Sequence, residues 1–183
     1  MPRNAVCVFC GARNGSQPAY AADAEATGRM LAGNGWQLVY GAGDVGLMGV
    51  VARAAQAAGG ETMGVIPEHL LHLEVSRRDL SRHVVTETMH ERKKVMFMNS
   101  SAVVVLPGGA GSLDEFFEVL TWRQIGLHKK PIFLLNTKGY WTPLIKLIEH
   151  VIAHEFADDS LKGYVQPIDT VQDLGIALRA ALS

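Results

Sequence analysis

Cysteine is nearly absent from this chain of 183 residues, which carries only Cys7 and Cys10. Two cysteines exclude a disulfide-stapled scaffold, and 183 residues are enough to bury a core without staples. The pair reads CxxC, but the redox form of that motif needs a helix start to lower a thiol pKa. Here both lie in an apolar run of strand type, where residues three apart point to opposite faces. No second Cys/His pair stands at the spacing of a four-ligand zinc site. One core thiol and one at a strand end are expected.

An excess of charge of one sign is also missing. Seventeen basic residues face 18 acidic ones, a formal charge of −1. That balance supplies no global field for nucleic acid or an anionic membrane, so neither is expected as a partner and any anion site must be local. No window approaches the roughly 20 consecutive apolar residues of a membrane-spanning helix. The opening Met-Pro-Arg-Asn runs straight into Ala5-Val6-Cys7-Val8-Phe9 without a leader-type apolar stretch. A cytoplasmic location is the expectation. Linkers, repeats and low-complexity tracts are lacking too, which points to one domain over residues 1–183.

What is present is a regular alternation. Strand-like runs at 5–10, 37–40, 62–66, 83–86, 102–106, 131–136 and 164–168 separate helical patterns near 19–34, 47–58, 89–99, 113–125, 142–154 and 171–182. Val103-Val104-Val105-Leu106 and Ile132-Phe133-Leu134-Leu135 are continuously apolar, as strands covered on both faces must be. The pattern predicts an α/β fold, a doubly wound and mainly parallel sheet of about seven strands with helices on both faces. Ligands in such sheets sit at the carboxyl ends of the strands, near a topological switch point. That rule selects the loops after Cys10, Tyr40, Ile66 and Leu106. The least regular stretch, 67–82, is a candidate lid.

Two strand–helix loops are rich in glycine. Pro107-Gly108-Gly109-Ala110-Gly111-Ser112 follows the most hydrophobic strand. Its glycines let backbone approach a ligand, and the helix start beyond it offers free N–H groups and partial positive charge. A phosphate suits this place; a tight turn with no ligand is the plainer alternative. Gly41-Ala42-Gly43-Asp44-Val45-Gly46 spells GxGxxG, yet it follows the second strand and carries an acid of its own. The acid expected at the end of the next strand is absent, because Glu61 stands at that strand's start. A ligand-facing turn, with Gly43 among its residues, fits better than a dinucleotide loop.

Glu115 stands three residues after Ser112, which permits either a capping box or a carboxylate beside an anion loop. Arg92, Lys93 and Lys94 belong to a charged helix that can be a solvated face or can reach the same sheet edge. Arginine suits phosphate or carboxylate through its two-pronged fork. None of the seven histidines forms an HExxH or a nucleophile relay, and His150 and His154 lack a partner carboxylate. No metal and no cofactor is expected.

These residues resemble the Lonely Guy family, the cytokinin riboside 5′-monophosphate phosphoribohydrolases, whose members have often been mislabelled as lysine decarboxylases. The family's PGGxGTxxE stretch is matched by residues 107–115, and its arginine–lysine helix by Met89-His90-Glu91-Arg92-Lys93. Further matches are Val8-Phe9-Cys10-Gly11, Gly43-Asp44-Val45-Gly46-Leu47-Met48-Gly49 and Thr121-Trp122-Arg123-Gln124-Ile125-Gly126. The resemblance spans roughly residues 5–140. It implies a Rossmann-like homodimer that hydrolyses the N-glycosidic bond of a nucleoside 5′-monophosphate, N6-modified adenosine nucleotides and AMP included. Arg92 and Glu115 then take the catalytic roles. Gly108, Gly109, Ala110, Gly111 and Ser112 hold the phosphate, and Lys93, Glu74 and Thr121 contact substrate. Gly11, Gly43 and Met89 would face the ligand. Ser112 replaces the usual threonine and keeps the hydroxyl, while Ala42 and Asp44 depart from a more glycine-rich loop. Met48, Met89, Met96 and Trp122 are candidate walls for the base, and the helices near 89–99 and 113–125 are the expected dimer contacts. A carrier or sensor using the same loop without catalysis is the alternative; a nicotinamide-dependent oxidoreductase and a pyridoxal-phosphate decarboxylase fit less well.

Overall fold

The computed structural model describes residues 4–71 and 80–183. Seven strands form one sheet in the order β4-β3-β2-β1-β5-β6-β7, and every pairing is parallel. The strands are β1 (Ala5–Phe9), β2 (Gln37–Tyr40), β3 (Thr62–Pro67), β4 (Arg82–Thr86), β5 (Ala102–Val105), β6 (Ile132–Leu135) and β7 (Val165–Ile168). The helices are α1 (Pro18–Gly33), α2 (Gly46–Ala57), α3 (Met89–Met98), α4 (Ala110–Gln124), α5 (Thr142–Ala153) and α6 (Val171–Leu182).

Side-chain alternation along the strands divides the interior into two cores. Val6, Val8, Val104 and Leu106 join α1, α2 and α6 through Leu31, Val51, Leu174 and Leu178. Cys7, Phe9, Val103 and Val105 join α3, α4 and α5 through Met96, Phe116, Leu120 and Ile148. A sheet sandwiched this way must be apolar on both sides, which is why β1, β5 and β6 are buried along their whole length. Cys7 and Cys10 are both buried and unbonded, and they belong to opposite cores, as their spacing requires. Burial, with Glu115 adding to it, pushes both thiols well above the ordinary range, so neither is poised as a nucleophile.

β1 leads through α1 to β2 on one side, and β5 leads through α4 to β6 on the other. The switch point therefore lies between the carboxyl ends of β1 and β5. There Gly11 N–H donates to the Pro107 carbonyl at 3.0 Å and Leu106 N–H to Phe9 at 2.9 Å, locking the two loops side by side.

Helix starts depart from the sequence expectation in one informative place. α4 begins at Ala110 with Gly109 as its cap, three residues before the expected Leu113. Ser112 is thus inside the helix and no capping box forms with Glu115. The capping box of this chain is on α3, where Thr88 accepts from Glu91 N–H and the Glu91 carboxylate returns to Thr88 N–H. Of the candidate lid 67–82, the middle part, including Glu74, lies outside the described residues.

Candidate functional site

A cavity of about 480 Å3 opens at the switch point, within the range typical of small-molecule sites. Its walls come from the carboxyl-end side of six strands: Cys10–Gly15 after β1, Leu47 and Met48 after β2, Leu70 after β3, Met89 and Arg92 after β4, Pro107, Gly108, Gly109, Gly111, Ser112 and Glu115 after β5, and Tyr140 after β6.

One end is built by the start of α4. The N–H groups of its first turn have no carbonyl one turn back to bind, so they stay available with the helix's partial positive charge. The three glycines here differ in what surrounds them. A side chain on Gly108 would overlap Ser112 Oγ at 2.0 Å, so that glycine serves packing. Gly109 and Gly111 would meet nothing within 4 Å. Their φ angles are not in the left-handed region either, so the protein itself makes no demand for glycine at these two positions. Both line the cavity, so the space beside them is open to a ligand. Tyr140 Oη donates to the Gly108 carbonyl at 2.6 Å and fixes the loop from the far side.

The same cavity holds Arg92 and Glu115. Both are buried, at 5 % and 9 % exposure, so the solvated-face alternative fails for Arg92. Arg92 Nη2 donates to the Gly41 carbonyl at 3.0 Å, and Nη1 lies 3.8 Å from Met89 Sδ. Its Nε is buried without a partner among the described residues. Burial raises the Glu115 carboxyl to about 7; Arg92 and Lys93 pull down, while Asp114 and Glu118 push up. A carboxylate titrating near neutrality beside an arginine with spare donor capacity is a reactive arrangement.

Lys93 is buried as well, but for a different purpose. Consecutive helix residues diverge by about 100°, so Lys93 turns away from Arg92. Its Nζ pairs with Asp114 at 2.9 Å and with Glu118 at 3.1 Å on the outer flank of α4. Only Lys94 keeps the exposed role expected of the whole charged run.

The cavity thus gathers Gly11, Met89, Arg92, Gly108, Gly109, Gly111, Ser112 and Glu115 from the expected residues. Lys93, Ala110, Thr121 and Gly43 do not line it, and Thr121 is exposed. Of the candidate walls Met48 and Met89 line it, whereas Met96 and Trp122 pack between helices and sheet. Arg13, Asn14, Tyr20, Leu70 and Tyr140 were not singled out from sequence. The switch-point rule had marked the loop holding Arg13 and Asn14; Tyr140 carries no local signal. Among the described residues no group of three or more His, Cys, Asp or Glu is arranged to hold a metal ion.

The second glycine loop is packed. A Cβ on Gly41 would fall 1.8 Å from Arg92 Nη2, and one on Gly49 would fall 2.1 Å from the Asp44 carbonyl. Gly46 has φ +59°, and its Cβ would lie 2.2 Å from Ala12 backbone. Ala42 adopts φ +62°, a strained angle for a residue with a side chain. At the start of α2, Leu47 N–H donates to the Gly11 carbonyl at 3.0 Å, so that helix end is already satisfied from within the protein.

Fold and site define a class: Rossmann-like α/β proteins with a switch-point cavity between a helix start and a buried carboxylate. A family model described as "Possible lysine decarboxylase" matches residues 48–178. The chain is 41 % identical over 176 residues to the cytokinin riboside 5′-monophosphate phosphoribohydrolase of Rhodococcoides fascians, covering 96 % of this chain and 89 % of that one. It is 36 % identical over 173 residues to the cytokinin riboside 5′-monophosphate phosphoribohydrolase LOG of Oryza sativa subsp. japonica, covering 94 % and 72 %. This chain belongs to the Lonely Guy family. Its fold is shared with the molybdenum cofactor carrier protein of Chlamydomonas reinhardtii, at a TM-score of 0.77 over 98 % of both chains. With 22 % identity that likeness concerns the fold alone.

Proposed function

We propose that this chain hydrolyses the N-glycosidic bond of N6-modified adenosine (cytokinin riboside) 5′-monophosphates and of AMP, releasing free base and ribose 5-phosphate. The observation that carries the reading is that one cavity is lined by two different features. An open helix start with unobstructed Gly109 and Gly111 suits a phosphate, and a buried Glu115 beside Arg92 suits a sugar whose anomeric carbon becomes positive.

Water attacks C1′ as the bond to the base breaks. The leaving base takes the bonding pair and gains a proton, which in net balances the one water gives up to Glu115, and C1′ receives the hydroxyl. Ionised Glu115 stabilises the oxocarbenium-like charge and accepts the proton of the attacking water. Arg92 favours the ionised form of Glu115 and offers its remaining donors to substrate oxygens. Phosphate held by Gly109, Gly111 and Ser112 contributes remote binding energy that positions the reacting carbon. The names of the relatives support the substrate class.

The reading extends to the surroundings of the site. Residues 1–183 form one domain acting in the cytoplasm; among the described residues no helix is long and apolar enough to cross a membrane. The working form is a homodimer joined through α3 and α4, where Met98, Phe117 and Ile125 expose apolar surface. Light scattering should give twice the chain mass of 19.8 kDa. The activity itself is tested by incubating purified protein with AMP and with isopentenyladenosine 5′-monophosphate and following free base by chromatography. Base should appear with both substrates. Binding without base release would turn the reading toward a nucleotide carrier.

A further inference from the structure

The phosphate end of the cavity has a charge deficit. A nucleotide phosphate carries about −1.5 to −2 at neutral pH, whereas a helix start supplies roughly +0.5. Arg92 is engaged by the Gly41 carbonyl and by the charge of Glu115. Lys93 is engaged outside the cavity by Asp114 and Glu118. Among the described charged residues that line the cavity, Arg13 is left.

Arg13 stands in the loop after β1, directly beside the phosphate-end loop. The site of a Gly11 Cβ is 3.2 Å from the Arg13 carbonyl and 3.3 Å from Gly108 Cα, so both loops close around Gly11. Gly46 packs there too, since a Cβ on it would fall 2.3 Å from Arg13 N. The Arg13 backbone is thus packed among neighbouring loops, while the residue as a whole is exposed. Arg29, Arg53 and Arg123 each bond to a neighbouring carboxylate or carbonyl. Arg13 makes no hydrogen bond or ion pair with a described residue.

We propose that Arg13 is a specificity-determining residue whose guanidinium binds the outer oxygens of the 5′-phosphate, so that the cavity selects the nucleotide over the bare nucleoside. The inference rests on the reading of this cavity as a nucleoside monophosphate site. A planar fork suits two phosphate oxygens at once, and a cation lining the same cavity adds full charge to what the helix N–H groups supply. A lysine there keeps the charge and loses the fork.

The test is calorimetric titration of wild type, Arg13→Ala and Arg13→Lys with AMP and with adenosine, at two salt concentrations. Arg13→Ala should bind AMP about tenfold or more weakly, with adenosine affinity unchanged and a shallower salt dependence. Arg13→Lys should fall between. Equal AMP affinity in wild type and Arg13→Ala overturns the assignment, and so does an equal loss for AMP and adenosine, which marks general damage to the cavity. Absence of base release by the wild type would instead count against the hydrolase reading and leave this binding result standing.

Discussion

The loops at 41–46 and 107–112 look like relatives in the sequence: each joins a buried strand to a helix and each carries three glycines. In the structure they do opposite work. In the first, the added Cβ of Gly41 or Gly46 would strike protein, and the helix N–H beyond it is taken by the Gly11 carbonyl. In the second, Gly109 and Gly111 face open space, and the first turn of α4 is left for something else. A glycine that the protein needs and one that a ligand needs cannot be told apart by spelling. They differ in what a methyl group would meet. The two loops still cooperate, because Gly41 in the packed loop makes room for the Arg92 that works at the open one.

That cooperation gives the largest expected effect. Arg92→Ala and Glu115→Gln should each lower kcat by on the order of 10³-fold in a folded protein. Gly41→Ala, which touches no substrate, should approach the same loss, since its methyl would occupy the place of Arg92 Nη2. Turnover assays on the three soluble variants check this; near-normal rates in Gly41→Ala would detach the packed loop from catalysis.

The next effect divides the loops by stability and binding. Gly46→Ala combines a left-handed backbone with a backbone clash, and should cost roughly 2–4 kcal/mol in denaturant unfolding. Gly111→Ala should leave stability within roughly 1 kcal/mol of wild type, helped by the better helix propensity of alanine. Its AMP affinity should nevertheless fall about tenfold or more. The reverse pattern, with Gly46→Ala stable and Gly111→Ala unfolded, would exchange the roles of the two loops.

Two pH effects follow from the raised Glu115 carboxyl. If its ionised form is the working form, kcat climbs through a pKa of about 7 and levels off above pH 8. A rate that falls over that interval would make Glu115 a proton donor. Stability runs the other way. Between the ordinary value of 4.5 and about 7 the folded chain keeps a proton that the unfolded chain has released, so stability declines as pH rises. Glu115→Gln removes that penalty. It should be more stable than wild type at pH 8, by at most about 3 kcal/mol, with the gap closing below pH 4.5. Thermal unfolding of both proteins across this range measures it.

Strands and helices were legible because period and composition agree: β5 and β6 are unbroken apolar runs, and six helical patterns fall within about three residues of their observed starts. The phosphate-end loop was legible as well, since glycines between a strand and a helix carry a local signal. Glu115 was not resolved by spacing alone, because a capping box and a cavity carboxylate share the pattern Ser-x-x-Glu. The choice turned on where α4 begins. Nor could spacing reveal that Arg92 and Lys93, adjacent in the chain, take different partners, the Gly41 carbonyl for one and the Asp114 and Glu118 carboxylates for the other. Tyr140 lies 32 residues beyond Gly108, and only the tertiary fold brings its hydroxyl to that carbonyl.

The central claim is that Glu115 acts on the glycosidic bond of a nucleotide held by the loop at 107–112. Quantifying both products from AMP tests it most directly. The account predicts adenine and ribose 5-phosphate in equal amounts from the wild type, and neither from Glu115→Gln. Adenosine with free phosphate, or intact AMP returned despite binding, would contradict it.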